Sequence, residues 1–300
     1  MPFALHSVSY AGLWGQHALS LDDTLRRAAD LGYDGLLVMA KAPHAAVLDL
    51  TPGRCAQLAA LAGQLGLALP GLAAYTDFLA ESAGPEVPLG EYQLAALDRL
   101  CAAAADLGGG LVRVFSGYLR PGADPGAAWR RVVESLRRAA DLAAGRGVTL
   151  MLQNHHDLAV DTAALARLLA EIDHPHCRAA YDAWSPALRG EDLYQGALRL
   201  APLTLHTTVA DYVRQPRWRY RPELVNYERL WPDEVRAVPL GEGLVAYEEF
   251  FCGLADGGFE GWVTYEMCSP LRDGGAASVL DQYARSALAA LKELCGPAER

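Results

Sequence analysis

The feature that most constrains the fold is a repeated unit in which an Ala/Leu-rich helix ends at a glycine and a short apolar strand follows. In the first copy, Ser20 and Asp23 have the spacing of a capping box, which predicts a helix over Leu21–Leu31. Gly32 then accepts the left-handed conformation that ends a helix. The next segment, residues 35–40, is apolar throughout, as a strand buried on both faces of a parallel sheet must be.

Such strands recur about eight times, which is the number that closes a (β/α)₈ barrel. The predicted strands cover residues 3–10, 35–40, 67–69, 111–115, 148–152, 177–181, 203–205 and 262–265. No linker rich in Ser, Gly or Pro divides the sequence, so we expect a single (β/α)₈ TIM barrel over residues 1–300, with a long insertion between strand seven and helix seven. An open doubly wound sheet is the alternative, but no G-x-G-x-x-G motif follows the first strand.

The composition narrows the class of protein. Hydrophobic residues make up 52% of the chain and charged residues 21%, which allows a large core. A net charge of −10 argues against a nucleic-acid partner, and no apolar run approaches the roughly 20 residues of a membrane span. The N-terminus lacks the pattern of a signal peptide, and the six cysteines, none in a C-x-x-C pair, suit free thiols. We therefore expect a cytoplasmic enzyme that acts on a small molecule.

Polar side chains stand at the ends of the last four predicted strands. The ends of parallel barrel strands form the active-site face of this fold. The polar groups there are Gln153 to Asp157, Asp182, His206 to Thr208, and Glu266. Oxygen and imidazole groups from four neighbouring strands predict a site for a divalent metal. The alternative for each residue is a solvated position at the barrel rim. Arg113 on strand four is a weaker candidate for the same pocket.

These strand ends resemble a known family. The sequences Q-N-H, Y-D, L-H-T-T and Y-E, with P-L-G-E-G at residues 239–243 and G-F-E-G at residues 258–261, resemble the xylose isomerase-like barrels. They are similar, more narrowly, to the sugar phosphate isomerase/epimerase group, which includes ketose 3-epimerases, inosose dehydratases and hydroxypyruvate isomerases. The resemblance extends over nearly the whole chain. Its most specific parts are the P-x-G-E-G element and the glutamate of strand eight.

The resemblance implies a divalent metal held by residues of strands five to eight. The metal is usually Mn²⁺, with Zn²⁺, Co²⁺ and Mg²⁺ as alternatives. By position, the ligands would be Gln153, Asp182, a residue of strand seven, and Glu266.

The strand-seven ligand has two candidates on one face of the strand, His206 and Thr208. Thr208 fits the family spacing better, because Asp211 and Arg214 follow it at the family's intervals. His206 is the chemically better ligand, and we predict that it binds the metal. With Thr208 in that place, the metal site would be weak or absent.

The resemblance also implies chemistry through an enediolate, in which a metal polarises a sugar carbonyl and a carboxylate moves the adjacent proton. Glu266 is the predicted general base. Many of these epimerases use a second glutamate on strand five, whereas Gln153 cannot take a proton. His155, His156 and Lys41 are the candidates to replace it. The proton's destination decides between isomerase and epimerase, and loss of a β-hydroxyl gives a dehydratase. A sugar-binding barrel without catalysis is the non-enzymatic alternative.

Residues 212–240, between strand seven and the next helix, hold six arginines against four acids, interleaved with Tyr and Trp. Guanidinium groups suit carboxylates and phosphates. We therefore predict a lid in which Arg214, Arg217 and Arg219 bind an anionic sugar, with His156 and Trp14 as further substrate contacts. The alternative is that these arginines pair with acids of the same segment or form an interface in a homo-oligomer.

Overall fold

The structure is a computed structural model that describes residues 1–80, 86–155 and 157–295. The first helix and the strand after it form as their sequence predicts. The first helix spans Leu21–Leu31, and Ser20 Oγ accepts a hydrogen bond from the backbone N–H of Asp23 at 3.1 Å. Gly32 ends this helix with a φ of 85°. The strand that follows, Gly35–Met39, is buried at every residue.

The described residues contain ten strands and nine helices longer than a single 3₁₀ turn. The strands are β1 (Phe3–His6), β2 (Gly35–Met39), β3 (Gly71–Ala73), β4 (Leu111–Val114), β5 (Thr149–Gln153), β6 (Cys177–Ala180), β7 (Thr204–Val209), β8 (Asp211–Arg221), β9 (Asn226–Val238) and β10 (Trp262–Tyr265). The helices are α1 (Leu21–Leu31), α2 (Pro52–Gln64), α3 (Leu89–Asp106), α4 (Pro125–Gly145), α5 (Thr162–Ile172), α6 (Trp184–Arg189), α7 (Leu193–Leu200), α8 (Tyr247–Asp256) and α9 (Ala277–Leu294).

Eight of these strands close into a parallel barrel in the order β1-β10-β7-β6-β5-β4-β3-β2. The predicted (β/α)₈ TIM barrel is therefore confirmed. The main hydrophobic core lies between the strands and the helices around them, where Leu36, Val112, Leu150 and Val263 are fully shielded from solvent. The other face of each strand points into the barrel, and it is this face that carries polar groups toward the carboxyl end.

The predicted position of the third strand is wrong by four residues. The apolar run 67–69 makes a single bridge, between Ala68 and Gly35, and the barrel ladder begins only at Gly71. Pro70 interrupts the segment, because it has no N–H to donate to a neighbouring strand. Gly71 lies so close to β4 that a Cβ there would be 2.1 Å from the Leu111 carbonyl oxygen.

The insertion after β7 is a two-stranded antiparallel ribbon formed by β8 and β9. Its base is attached to the barrel, because the backbone N–H of Ala237 donates to the Pro270 carbonyl and that of Arg272 donates to the Ala237 carbonyl. Its register is broken between Gln215 and Arg217, and the part beyond is largely exposed. In the part of the chain that the structure describes, no helix has the length and apolarity that crossing a membrane requires.

Candidate active site

A cavity of about 330 Å³ opens at the carboxyl end of the barrel, next to β5, β6, β7 and β10. Side chains from these four strand ends and from the base of the ribbon form its wall. The lining residues are His155, Asp182, Trp184, Leu188, Thr208, Ala210, Tyr212, Val235, Glu266, Cys268 and Ser269. Two carboxylates that the sequence singled out, those of Asp182 and Glu266, therefore share one cavity.

Asp182 belongs to a buried chain of hydrogen bonds that begins at Arg113. Arg113 Nη1 donates to Gln153 Oε1 at 2.8 Å, and Gln153 Nε2 donates to Asp182 Oδ2 at 2.7 Å. A guanidinium only donates and a carboxylate only accepts, so the orientation of the amide between them is fixed by chemistry. The second oxygen of Asp182, Oδ1, has no hydrogen-bond partner among the described residues, although the backbone N–H groups of Trp184 and Ser185 lie near the carboxyl. Burial raises the pKa of the Asp182 carboxyl from its usual 3.8 to about 7, against the hydrogen bond from Gln153.

Glu266 follows β10, and about 14% of its side chain is exposed. Its Oε1 accepts a hydrogen bond from the Cys268 thiol at 3.1 Å, and its Oε2 lies 3.9 Å from His6 Nε2. Burial raises the pKa of Glu266 above its usual range, while the thiol and the charge of Arg113 act in the opposite direction. A carboxylate held this way is a stronger base than one in water.

The two side chains nearest to the Glu266 carboxylate, His6 and Cys268, are neutral. Burial lowers the pKa of His6 well below its usual range, and its Nδ1 accepts the backbone N–H of Val8, which leaves the proton on Nε2. Burial also raises the pKa of the Cys268 thiol well above its usual range. The thiol sulfur lies 2.8 Å from the hydroxyl oxygen of Tyr212, whose ring packs 4.3 Å from that of Trp184. Glu266 therefore faces the cavity among neutral hydrogen-bonding groups.

The structure places Thr208, and not His206, on the cavity wall. The two share a face of β7, but His206 is level with Trp262 and lies one residue pair deeper than Thr208. His206 is completely buried, and its Nε2 forms a hydrogen bond of 2.7 Å with Thr264 Oγ1. Burial lowers the pKa of His206 to about 3. The predicted ligand is therefore a neutral side chain inside the barrel that does not reach the cavity.

The predicted ligand set does not fit a divalent metal in this arrangement. Gln153 turns its oxygen to Arg113 and presents a donor to Asp182, and His206 lies below the cavity. The carboxylates of Asp182 and Glu266 and the hydroxyl of Thr208 remain as possible ligands. The buried guanidinium of Arg113 lies near these carboxylates. Among the described residues, no group of three or more His, Cys, Asp and Glu side chains is arranged to hold a metal ion.

The remaining predicted catalytic and rim residues fall at different places. His155 lines the cavity, with its ring centroid 5.2 Å from that of Phe115. Lys41 lies over the ring of Tyr75, 3.8 Å from its centroid, and burial and the charge of Arg113 lower its pKa. Trp14 is exposed in a turn after β1 and is not among the lining residues. His156 lies outside the described residues.

The six arginines of the insertion divide into two groups. Arg221, Arg229 and Arg236 form ion pairs with acids of the same ribbon. The three predicted to bind substrate, Arg214, Arg217 and Arg219, are exposed and form no ion pair with a described carboxylate.

Arg214 is the best placed of these three, because it pairs across the ribbon with Val235, which lines the cavity. Cross-strand partners share a face of a sheet, so Arg214 lies on the cavity side of the ribbon. Arg217 and Arg219 lie beyond the break in register, toward the exposed end.

Asp211 explains the P-x-G-E-G element. Its buried carboxylate accepts backbone N–H groups from Gly241 and Gly243 at 2.9 Å, from Val245 at 3.3 Å and from Tyr212 at 2.9 Å. A Cβ on Gly243 would lie 2.0 Å from Asp211 Oδ1, so only glycine fits there. This acid fixes the loop to the end of β7 and holds the base of the ribbon at the cavity.

Asp211→Asn is expected to lower the free energy of unfolding by roughly 2–4 kcal/mol, because an amide has one acceptor oxygen and places a donor against backbone N–H groups. Urea unfolding measures this loss. Asp98→Asn is the matched control, since Asp98 pairs with Arg146 at the surface and should cost less than about 1 kcal/mol. A loss for Asp211→Asn no larger than the control's would contradict the structural role.

The structure gives four residues larger roles in the candidate site than sequence patterns indicate. They are Arg113, Cys268, Tyr212 and His6. One signal was available, since Arg113 is a charged residue inside the apolar strand β4. The roles of Cys268 and Tyr212 depend on the loop after β10 and the base of the ribbon, which meet only in the folded chain.

The family described as xylose isomerase-like TIM barrel matches residues 25–294 of the chain. The chain is 24% identical over 298 residues to fructoselysine 3-epimerase of Shigella flexneri, covering 95% of this chain and 97% of that protein. It is 25% identical over 169 residues to inosose dehydratase of Geobacillus thermodenitrificans, covering 56% and 55% of the two chains.

A solved structure of D-psicose 3-epimerase from Clostridium cellulolyticum H10, with D-tagatose, is similar with a TM-score of 0.77 at 17% identity. The similarity covers 98% of this chain and 99% of that one. At this identity the similarity bears on the fold alone.

Proposed function

Since the chain belongs to the xylose isomerase-like TIM barrel family, we propose that it is a sugar isomerase or epimerase that moves a proton beside the carbonyl of a keto-sugar or sugar acid. The observation that carries this proposal is the pair of carboxylates, Glu266 and Asp182, on the wall of one cavity at the carboxyl end of the barrel. That end of the fold is where barrel enzymes hold their substrates. The similarity to fructoselysine 3-epimerase over nearly the whole chain supports the same reaction class.

Glu266 is the proposed base. Its carboxylate takes the proton from the carbon next to the carbonyl, the electron pair of that C–H bond forms a carbon–carbon double bond, and the π pair of the carbonyl moves onto its oxygen to give an enediolate. The raised pKa of Glu266 favours this step, because a base is most effective when its pKa lies near the working pH. The thiol of Cys268 holds one carboxylate oxygen and leaves the other for the substrate.

Asp182 is the proposed partner that returns the proton. A carboxyl with a pKa of about 7 is partly protonated at neutral pH and can give up its proton there. Its Oδ1 has no hydrogen-bond partner among the described residues. Delivery to the opposite face of the same carbon gives an epimer, and delivery to the former carbonyl carbon gives an aldose–ketose isomer. His155, on the same wall, is the alternative proton donor.

An acidic or phosphorylated sugar is the proposed substrate class, because Arg214 lies on the cavity side of the ribbon without an acidic partner among the described residues. Arg214→Ala is expected to raise KM for an anionic sugar by roughly 10- to 100-fold with little change in kcat, as loss of a charge-assisted hydrogen bond does. Arg221→Ala is the control, since Arg221 is already paired with Glu223 and Glu228. Equal effects of the two variants in steady-state kinetics would rule out the role given to Arg214.

A dehydratase is the second candidate, since inosose dehydratase is among the similar proteins and β-hydroxyl loss begins with the same proton abstraction. A non-catalytic sugar-binding barrel is the third, because Gln153 replaces a carboxylate. Product analysis by NMR after incubation with fructoselysine, D-psicose, D-tagatose and inosose separates these outcomes. A new epimer or isomer supports the proposal, a dicarbonyl product identifies a dehydratase, and binding without any product identifies the third.

A further inference from the structure

Arg113 is a buried cation without a counter-ion among the described residues. It is 5% exposed, and no described carboxylate lies within ion-pair distance of it. Its guanidinium stacks on two aromatic rings, with Cζ 4.1 Å from the Phe115 centroid and 5.0 Å from that of Tyr75. Burying an unpaired charge costs several kcal/mol in a typical protein interior. Its retention at the active-site end of the barrel therefore calls for a functional reason.

We propose that Arg113 supplies the positive charge that stabilises the enediolate oxygens, in the place where the family resemblance implies a divalent metal. This inference rests on the proposed function, and it assigns the electrophile for that reaction to a side chain of this protein. No bond to Arg113 forms or breaks. Its N–H groups donate to the oxygen that becomes negative when Glu266 takes the carbon-bound proton.

The unused edge of the guanidinium suits this role. Nη1 donates to Gln153, whereas Nε and Nη2, which form one edge of the planar group, are buried near Tyr75, and no described residue lies in hydrogen-bonding geometry with either. That edge presents two parallel N–H groups, the arrangement that binds two neighbouring oxygens at once. An enediolate has two oxygens on adjacent carbons. Donors that are fixed before the charge develops need no reorganisation when it does.

Arg113 does not itself line the cavity, but two of its contacts, Gln153 and Phe115, reach residues that do. Gln153 connects it to Asp182, and Phe115 connects it to His155, so both of its neighbours contact residues of the wall. Its charge also reaches Glu266, where it acts against the effect of burial on the pKa of that carboxyl. The same charge would therefore be felt by an enediolate formed beside Glu266.

Gln153 is the residue that keeps this charge available. Its amide accepts from the cation and donates to Asp182, so both neighbours are satisfied without a further charge. A glutamate in its place would neutralise Arg113 by forming an ion pair and would stand against the Asp182 carboxylate. The amide at this position departs from the family pattern. An arginine that replaces the metal explains why residue 153 is an amide and not a carboxylate.

The first test measures metal binding without turnover. Wild-type protein is treated with chelator and desalted, and Mn²⁺ is titrated while the electron paramagnetic resonance signal of free Mn²⁺ is recorded. We expect a dissociation constant above about 1 mM, because a guanidinium and a divalent ion would repel each other at this depth. One Mn²⁺ bound per chain more tightly than that overturns the inference.

The second test measures deuterium exchange into the sugar in the presence of EDTA. Arg113→Met is expected to reduce exchange by about 100-fold or more. Arg113→Lys is expected to reduce it by less, because an ammonium keeps the positive charge but lacks the two parallel N–H donors of a guanidinium. Gln153→Glu is expected to reduce exchange at least about tenfold, whereas it would restore a ligand if a metal were the electrophile. Circular dichroism confirms that each variant is folded.

The outcomes that overturn the inference are separate from failure of the proposed function. Exchange that EDTA abolishes and Mn²⁺ restores, an Arg113→Met variant within about threefold of wild type, or a Gln153→Glu variant that gains activity would each overturn it. No exchange on any sugar would contradict the proposed function instead. In that case the Mn²⁺ titration alone decides whether Arg113 stands in place of the metal.

Discussion

Glu266→Gln is expected to slow proton exchange beside the substrate carbonyl by about 10³-fold, within the range that a general base contributes. The amide has nearly the shape of the carboxylate, so it can still accept the hydrogen bond from the Cys268 thiol. It cannot take a proton from carbon. The loss should therefore appear in kcat and in kcat/KM alike, with substrate binding nearly unchanged.

The control for this variant is Glu260→Gln, which changes an exposed glutamate in the segment before β10, on the opposite side of that strand from Glu266 along the chain. It removes the same charge from the protein without touching the cavity. Full loss in Glu266→Gln with normal activity in Glu260→Gln is the expected pattern in an exchange assay followed by NMR. An active Glu266→Gln enzyme would mean that another group, with His155 the nearest candidate on the wall, removes the proton.

Asp182→Asn is expected to have two opposite effects, a loss of activity and a gain of stability at alkaline pH. The activity should fall by about 100-fold or more, because asparagine has no proton to deliver. The stability should rise because the wild-type chain buries a carboxyl that resists ionisation. Residues kept for function at the expense of stability behave in this way.

The sign of the stability effect follows from the raised pKa of Asp182. In the folded protein the carboxyl keeps its proton up to about pH 7, whereas in the unfolded chain it loses it near the usual 3.8. The unfolded state is therefore increasingly favoured as the pH rises between these two values. A difference of about three pH units corresponds to at most roughly 4 kcal/mol, which is fully expressed above the folded-state pKa.

The measurement is urea unfolding of both proteins at about pH 4 and about pH 8. Asp182→Asn should be the more stable protein at the higher pH, and the advantage should largely disappear at the lower one. Asp98→Asn, an exposed change, should show no such gain on going to the higher pH. An equal difference between wild type and Asp182→Asn at both pH values would show that this carboxyl is not perturbed.

The barrel is largely readable from the sequence because its signals are local. The capping pair Ser20 and Asp23, the terminating Gly32 and the apolar run of β2 each act over a few residues, and the structure has all of them. The apolar pattern predicts the third strand four residues too early, because the run 67–69 is as apolar as the strand Gly71–Ala73. Only the pairing of Gly71 with β4 distinguishes the two.

The sequence predicts those residues of the candidate site that directly follow a barrel strand. Asp182, His155 and Glu266 follow their strands directly, and all three line the cavity. The choice between His206 and Thr208 depended on how deep each lies in the barrel, which the register of β7 against β10 sets. The ion pairs that neutralise half of the insertion's arginines arise from the pairing of β8 with β9, which composition does not reveal.

The most direct measurement is the position of deuterium after wild-type protein converts a sugar in D₂O, with and without added Mn²⁺. Proton transfer by Glu266 and Asp182 predicts carbon-bound deuterium beside the carbonyl in the product, because the abstracted proton is exposed to solvent at the cavity. Conversion that leaves the carbon-bound hydrogen fully retained would indicate a direct hydride shift. That result would contradict a carboxylate-driven reaction through an enediolate.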